Sequence, residues 1–363
     1  MNKIIYLDAA ATYQKPSSVI KTEMDFLTNK YANAGRGICE LAGNVDKMLI
    51  NTRKCVADFI GACNENQIVF TSGTTDAMNK IATMLNITEK QVVAVSDLDH
   101  HSARLPFVMG GADVVVCPLD ENLNYDISSI PYADVFVITA MSNVIGMQQD
   151  VARIISCAKQ KNPNVITVVD AAQSVVHSEI DVEKWGCDFL CFSAHKIGGD
   201  TGLGIMYIKN PDNYKPVVFG GGMVNKIMDN HIIFNSVPDV FEAGTLPLTQ
   251  IAGLMPAIEN IKTNRPDLSL IKYMYDGLSK IEKIKIISNR NSSVLTFVVD
   301  GMHVLDFGTL IGARGVCVRV GNMCASWIHK YLNLDGSIRI SVGAYNTMDE
   351  VNQVLEYIKE IVK

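Results

Sequence analysis

No stretch of the 363-residue chain approaches the ~20 consecutive apolar residues that a membrane-spanning helix requires. The amino terminus meets a charge at Asp8, before the core of a signal peptide could form, so a cytoplasmic protein is expected. Basic charge is not in surplus. Thirty-two Lys and Arg stand against 38 Asp and Glu, a net charge of −6, so no field favours nucleic acid or an anionic membrane. No Cys-x-x-Cys pair occurs among the nine cysteines, no metal is expected, and an odd count in so long a chain argues against a disulfide framework. Each cysteine, one reactive residue apart, is expected to be a small buried hydrophobe. The glycine patterns of dinucleotide folds and nucleotide P-loops are missing, as are internal repeats and low-complexity tracts.

What is present is the balance of an ordinary globular protein, 48% hydrophobic and 19% charged. Between about residues 65 and 208, seven short β-branched runs recur: Gln67–Thr71, Gln91–Val95, Asp113–Cys117, Asp134–Ile138, Val165–Val169, Asp188–Phe192 and Gly204–Ile208. Five-residue runs with both faces apolar suit strands covered by helices on both sides. Helical intervals are expected at Thr75–Leu85, Ser102–Met109 and Val151–Lys161. The pattern predicts an α/β fold with a mostly parallel seven-stranded sheet.

From about Leu254 the texture changes to an α+β unit. An amphipathic helix is expected over 267–283, strands at Val294–Val299, Val316–Val320 and Ser337–Ser341, a helix at Val304–Ile311 and a closing helix from Asp349. Residues 209–253 read as a glycine-rich bridge. The expected division is a large domain over 16–253 and a small domain formed by 1–15 with 254–363.

Ligands of such sheets bind beyond the carboxyl ends of the strands. Those ends carry Ser72-Gly73-Thr74-Thr75, Asp99-His100-His101, Met141-Ser142-Asn143, Asp170 to Gln173, and Ser193 to Lys196. Five polar clusters along one edge point to a single site. A glycine followed by two threonines opening a helix offers N–H groups, hydroxyls and a helix dipole to an anion such as phosphate. Taken alone, an ordinary helix cap is the better explanation of it. Lys196 in an apolar setting is a usable amine nucleophile, and Asp170, one strand over, is an acid able to hold a pyridinium protonated. Those are the two groups that pyridoxal phosphate requires.

Together Phe70–Asn79, Asp99–Ser102, Ser142–Gly146, Val169–Ser174, Phe192–Lys196 and Phe241–Thr245 resemble fold-type I pyridoxal-phosphate enzymes of aminotransferase class V. Within that class they are most similar to the cysteine desulfurase and selenocysteine lyase branch of the SufS type. The likeness runs from Tyr6–Thr12 to Arg339 and Tyr345–Thr347. It implies that Lys196 forms the Schiff base, Asp170 pairs with the ring nitrogen, His100 stacks on the ring and Gln173 contacts its phenolic oxygen. Thr74, Thr75, Ser193 and His195 would hold the phosphate. Thr245 would reach the phosphate of a neighbouring subunit, which implies a homodimer with shared sites. Asn143 and Arg339 would bind the substrate amino acid, with Arg319 beside them, while His101 would be structural.

The resemblance also implies that Cys324 attacks the sulfur of L-cysteine and carries a persulfide to a sulfur-acceptor protein, as in iron–sulfur cluster assembly. Arg319 would favour its thiolate. Selenocysteine lyase, another class V lyase or aminotransferase, and an inactive dimeric binding partner are the alternatives. This chain departs from the family at Asn322 and Met323, where two histidines are usual. It departs again at Asn33–Cys39, which keeps Arg36 but loses two histidines of the entrance motif; Cys39 there is expected to be a buried packing residue.

Overall fold

A computed structural model describes residues 4–35, 37–229 and 231–363; Arg36 lies outside the described residues. The seven expected runs form one sheet, in the spatial order Ile68–Thr71, Gly204–Ile208, Phe189–Ser193, Ile166–Asp170, Val135–Thr139, Val92–Ser96, Asp113–Cys117. Only Gly204–Ile208 runs against the others, pairing antiparallel with both neighbours. The carboxyl ends of the remaining six therefore share one edge, and Gly204 opens its own strand at that edge.

Five strands begin one residue later than their apolar runs suggest, and two of these shifts have a visible cause. Asp134 stands just outside its strand and accepts from the Val92 amide at 2.9 Å, while Asp188 accepts from the Thr167 amide at 2.8 Å. Each carboxylate satisfies the exposed start of the neighbouring strand. Helices cover both faces. Val151–Lys161 shows how: Val151, Ile154, Ile155 and Ala158 form its buried stripe, and Asp150 caps the Arg153 amide.

The segment expected as a glycine-rich bridge contains a hairpin, Val224–Met228 with His231–Phe234, and the start of a helix, Leu248–Thr263. That helix runs through the boundary expected at 253/254. Its Ile251, Leu254, Ile258 and Ile261 are buried in the core under the large sheet. Apolar spacing outweighs the glycines and Pro256 here.

Beyond it, Ile284–Ile286, Leu295–Val299, Ser337–Ile340 and Arg319–Gly321 make a four-stranded antiparallel sheet. The expected strand Val316–Val320 splits in two. Val316–Cys317 pairs parallel with Ile5–Tyr6, and Arg319–Gly321 joins the sheet. Leu268–Leu278, Val304–Gly312 and Met348–Val362 pack over this unit around a separate apolar core that includes Ile5 and Leu7. The last helix opens with a capping box, Thr347 with Glu350.

Candidate active site

A cavity of about 310 Å³ opens where the strand ends of the large sheet face the small sheet. Its lining includes Thr74, Thr75, His100, Asn143, Asp170, Gln173, Ser193, His195, Lys196, Arg319, Cys324 and Arg339. Every sequence-predicted site residue except Thr245 lies in it. Thr245 is exposed, in a second cavity of about 800 Å³ lined also by Arg53, Asn235 and Glu242. Cys39 is exposed, capping the helix Glu40–Ile60, and lines neither cavity, contrary to the expectation of burial. Cys63 is exposed too, whereas Cys117, Cys187 and Cys191 are buried as expected.

One end of the cavity offers a helix start and hydroxyls that could receive an anion. The helix Thr74–Met84 points its first turn there, with Ser193 Oγ accepting from the Thr74 amide at 2.9 Å. Ser193 Oγ also lies 2.8 Å from Thr74 Oγ1. A Cβ on Gly204 would sit 2.4 Å from the Gly73 Cα, so only glycine lets this strand close against the turn. His195 meets Thr12 Oγ1 at 3.2 Å.

In the middle, Lys196 follows the strand Phe189–Ser193 and donates to the carbonyls of Ala10 at 2.7 Å and Ala11 at 2.9 Å. Burial, then the charge of Arg339, lowers its ammonium pKa to about 8. Asp170 is buried, and that burial raises its carboxyl to about 6 against the opposing pull of the Ala172 amide and Lys196. At neutral pH it remains an anion. His100 is driven to about 4 by burial and by Lys196, so its ring is neutral. The Ser102 amide donates to its Nδ1 at 3.2 Å, which places the proton on Nε2. Gln173 reaches across to the Ala10 carbonyl at 2.8 Å.

At the far end, Arg339 donates to the Asn143 carbonyl at 2.8 Å and to Asp8 at 3.0 Å. Its Nε and the Asn143 Oδ1 are buried with no hydrogen-bond partner among the described residues. Unmet buried donors and acceptors are costly, so these two atoms mark where a polar ligand belongs.

Cys324 is exposed on the loop after Arg319–Gly321. Met323 and Cys324 both hold positive φ, 50° and 54°, a strained pair for side-chain-bearing residues. Three hydrogen bonds hold the loop there. The His101 amide donates to the Cys324 carbonyl at 2.7 Å, Asn143 Nδ2 to the Met323 carbonyl at 2.9 Å, and the Ser326 amide to His101 Nε2 at 3.3 Å. Trp327 packs edge-on against His101 and beneath the Arg104 guanidinium.

Sequence reasoning assigned no role to Asp8, to the Ala10 and Ala11 carbonyls, or to Thr139, whose hydroxyl donates to the buried Asp99 at 2.7 Å. Backbone carbonyls carry no signature in a sequence. Asp8 had one: the only carboxylate before Glu23, placed directly after the run Ile4-Ile5-Tyr6-Leu7.

This fold and cavity define a class, and residues 5–354 match aminotransferase class V: the chain belongs to that family. Within it, the similarity is to cysteine desulfurases. One from Wigglesworthia glossinidia brevipalpis is 31% identical, with 99% of this chain and 93% of the relative aligned. One from Escherichia coli O8 is 31% identical with the same coverage. The structure matches the apo cysteine desulfurase of Thermococcus onnurineus NA1 with a TM-score of 0.94 at 31% identity, covering 99% of this chain and 94% of that one. It matches the cysteine desulfurase CsdA of Escherichia coli, an S-sulfonic acid form, with a TM-score of 0.91 at 29% identity, covering 99% and 96%.

Proposed function

We propose that the protein is a pyridoxal-phosphate-dependent L-cysteine desulfurase, yielding L-alanine and a persulfide on Cys324. The observation that carries this reading is a cysteine on the rim of the cavity that also holds Lys196, Asp170 and Arg339. The donor set fits the cofactor: a helix start with hydroxyls for phosphate, a lysine for the aldehyde, a buried carboxylate for the ring nitrogen and a neutral imidazole to lie on the ring. When bound, pyridoxal phosphate supplies an electron sink that stabilises negative charge at the substrate Cα.

The chain's own residues do the rest. Arg339 and Asn143 grip the α-carboxylate and fix which bond of the substrate faces Lys196. Lys196, with its pKa near 8, takes the Cα proton and returns one to carbon. The Cys324 thiolate attacks the substrate sulfur. An S–S bond forms, the C–S bond breaks, and its electron pair stays on the carbon that becomes the alanine methyl. The exposed Cys324 can then meet a sulfur-acceptor protein.

A homodimer would bring the partner's copy of Thr245 to this cavity. Nine unpaired thiols suit the reducing cytoplasm; no helix of the described residues is long and apolar enough to cross a membrane. Incubation with L-cysteine, assaying alanine and sulfide with and without reductant, tests the reading. Alanine with reductant-dependent sulfide is expected; a keto acid product would mean transamination.

A further inference from the structure

Asp8 is 6% exposed and sits between two cations. Arg319 and Arg339 are direct cross-strand neighbours in the small sheet, a register that sets two guanidiniums side by side. Asp8 joins them from another part of the chain through a parallel bridge to Ser341. It divides its carboxylate, Oδ1 accepting from Arg339 Nη2 at 3.0 Å and Oδ2 from Arg319 Nη2 at 2.6 Å. Arg339 spends Nη1 on the Asn143 carbonyl, so its Nε is left as the unmet buried donor.

We propose that Asp8 is a positioning residue that sets this end of the cavity for one monoanionic head group, the α-carboxylate of an amino acid. The proposal rests on the amino-acid reading of the cavity given above. Two guanidiniums and one carboxylate leave a single net positive charge, which one carboxylate neutralises. Without Asp8 the pair would carry two charges, repel each other, and suit a dianion. Asp8 therefore does two things at once: it fixes where Arg339 lies and halves the charge the ligand meets. Arg339 is almost wholly buried, so its charge is little screened by bulk solvent and its orientation is set by protein groups.

The test is titration calorimetry of the cofactor-loaded protein with L-alanine and with L-1-aminoethylphosphonate, which has the same skeleton but a dianionic head. Asp8→Asn preserves size, removes the charge and turns one acceptor into a donor facing a guanidinium. It is expected to weaken L-alanine about tenfold or more, the range for disturbing a charged hydrogen bond. The phosphonate should lose much less, so that the preference for carboxylate over phosphonate falls about fivefold or more by simple charge complementarity. In an Arg339→Gln background the same change should weaken L-alanine by less than about twofold, because the two residues act as one unit.

Equal weakening of both ligands, or the same loss with and without Arg339, overturns the proposal, since a merely structural role predicts both. If Asp8→Asn does not accumulate as folded protein, the smaller Asp8→Ser is read for the same carboxylate-to-phosphonate ratio, and an unchanged ratio overturns the proposal again. Wild-type protein that binds neither compound overturns the amino-acid reading, and this proposal with it. Wild-type protein that binds both while Asp8→Asn leaves their ratio intact overturns only the role of Asp8.

Discussion

Lys196 reacts as an amine only when neutral. Burial and the Arg339 charge favour that form, so the reactive fraction grows as pH rises through about 8. Uptake of pyridoxal phosphate by the apoprotein, followed by its absorbance, should accelerate across that pH and level off above it. Arg339→Gln removes the larger of the two guanidinium effects that lower the lysine pKa, which raises it and moves the curve to higher pH. Lys196→Ala should bind the cofactor without forming the reducible covalent link. Cys324→Ser should lose alanine production from L-cysteine by about a hundredfold or more, because a serine hydroxyl stays protonated at neutral pH. L-Alanine should still bind within about twofold, because the thiol takes no part in gripping the α-carboxylate. Product analysis and equilibrium titration of one preparation check both halves.

Among the elements, the strand Gly204–Ile208 and the turn at Gly73 are the tightest junction of the site. Gly204→Ala would press a methyl group to 2.4 Å of the Gly73 Cα. Overpacking costs of about 1–3 kcal/mol are expected, visible as a lower Tm and, because Thr74 and Thr75 follow that turn, as weaker cofactor retention. A second junction is the buried pair of Arg53, on the helix Glu40–Ile60, with Glu242, whose Oε1 also accepts from the Phe70 amide at 2.6 Å. Arg53→Met strands that carboxylate, and urea unfolding should show a loss of about 3–5 kcal/mol. Neither junction was legible beforehand, since Gly204 reads as an ordinary strand start and Arg53 and Glu242 lie far apart in sequence. The strands themselves were legible, because double-sided apolar runs of five leave few other readings. Their starts were not, since Asp134 and Asp188 serve the neighbouring strand rather than their own. The helix Leu248–Thr263 was hidden by the glycines before it and by Pro256 within it. The residues of the cavity were readable through five clusters at one edge, whereas the Ala10 and Ala11 carbonyls that hold Lys196 were invisible.

For the molecule as a whole, the hairpin Val224–Met228 with His231–Phe234 presents Ile227, Met228, Ile232 and Ile233 to solvent, with exposed Phe219 nearby. An apolar patch of that kind suits the homodimer interface proposed above. Sedimentation equilibrium should give twice the chain mass. Ile232→Lys should shift the protein to monomers and, if Thr245 serves the partner's cavity, should weaken cofactor retention without lowering the helical signal in circular dichroism.

The opening segment has one more consequence. Asp8 and Ala10 reach 331 residues along the chain to Arg339 and Ser341, while the Ala10 and Ala11 carbonyls take the Lys196 ammonium. During synthesis the large sheet can assemble as soon as its last strand emerges, but the lysine's cradle and the arginine pair share a short stretch that must wait for both. Closing that loop is among the slowest and latest events open to the chain. A ribosome-bound intermediate would thus be folded yet inert, its lysine free of both guanidiniums, and catalytic competence would arrive in one step when the final sheet docks.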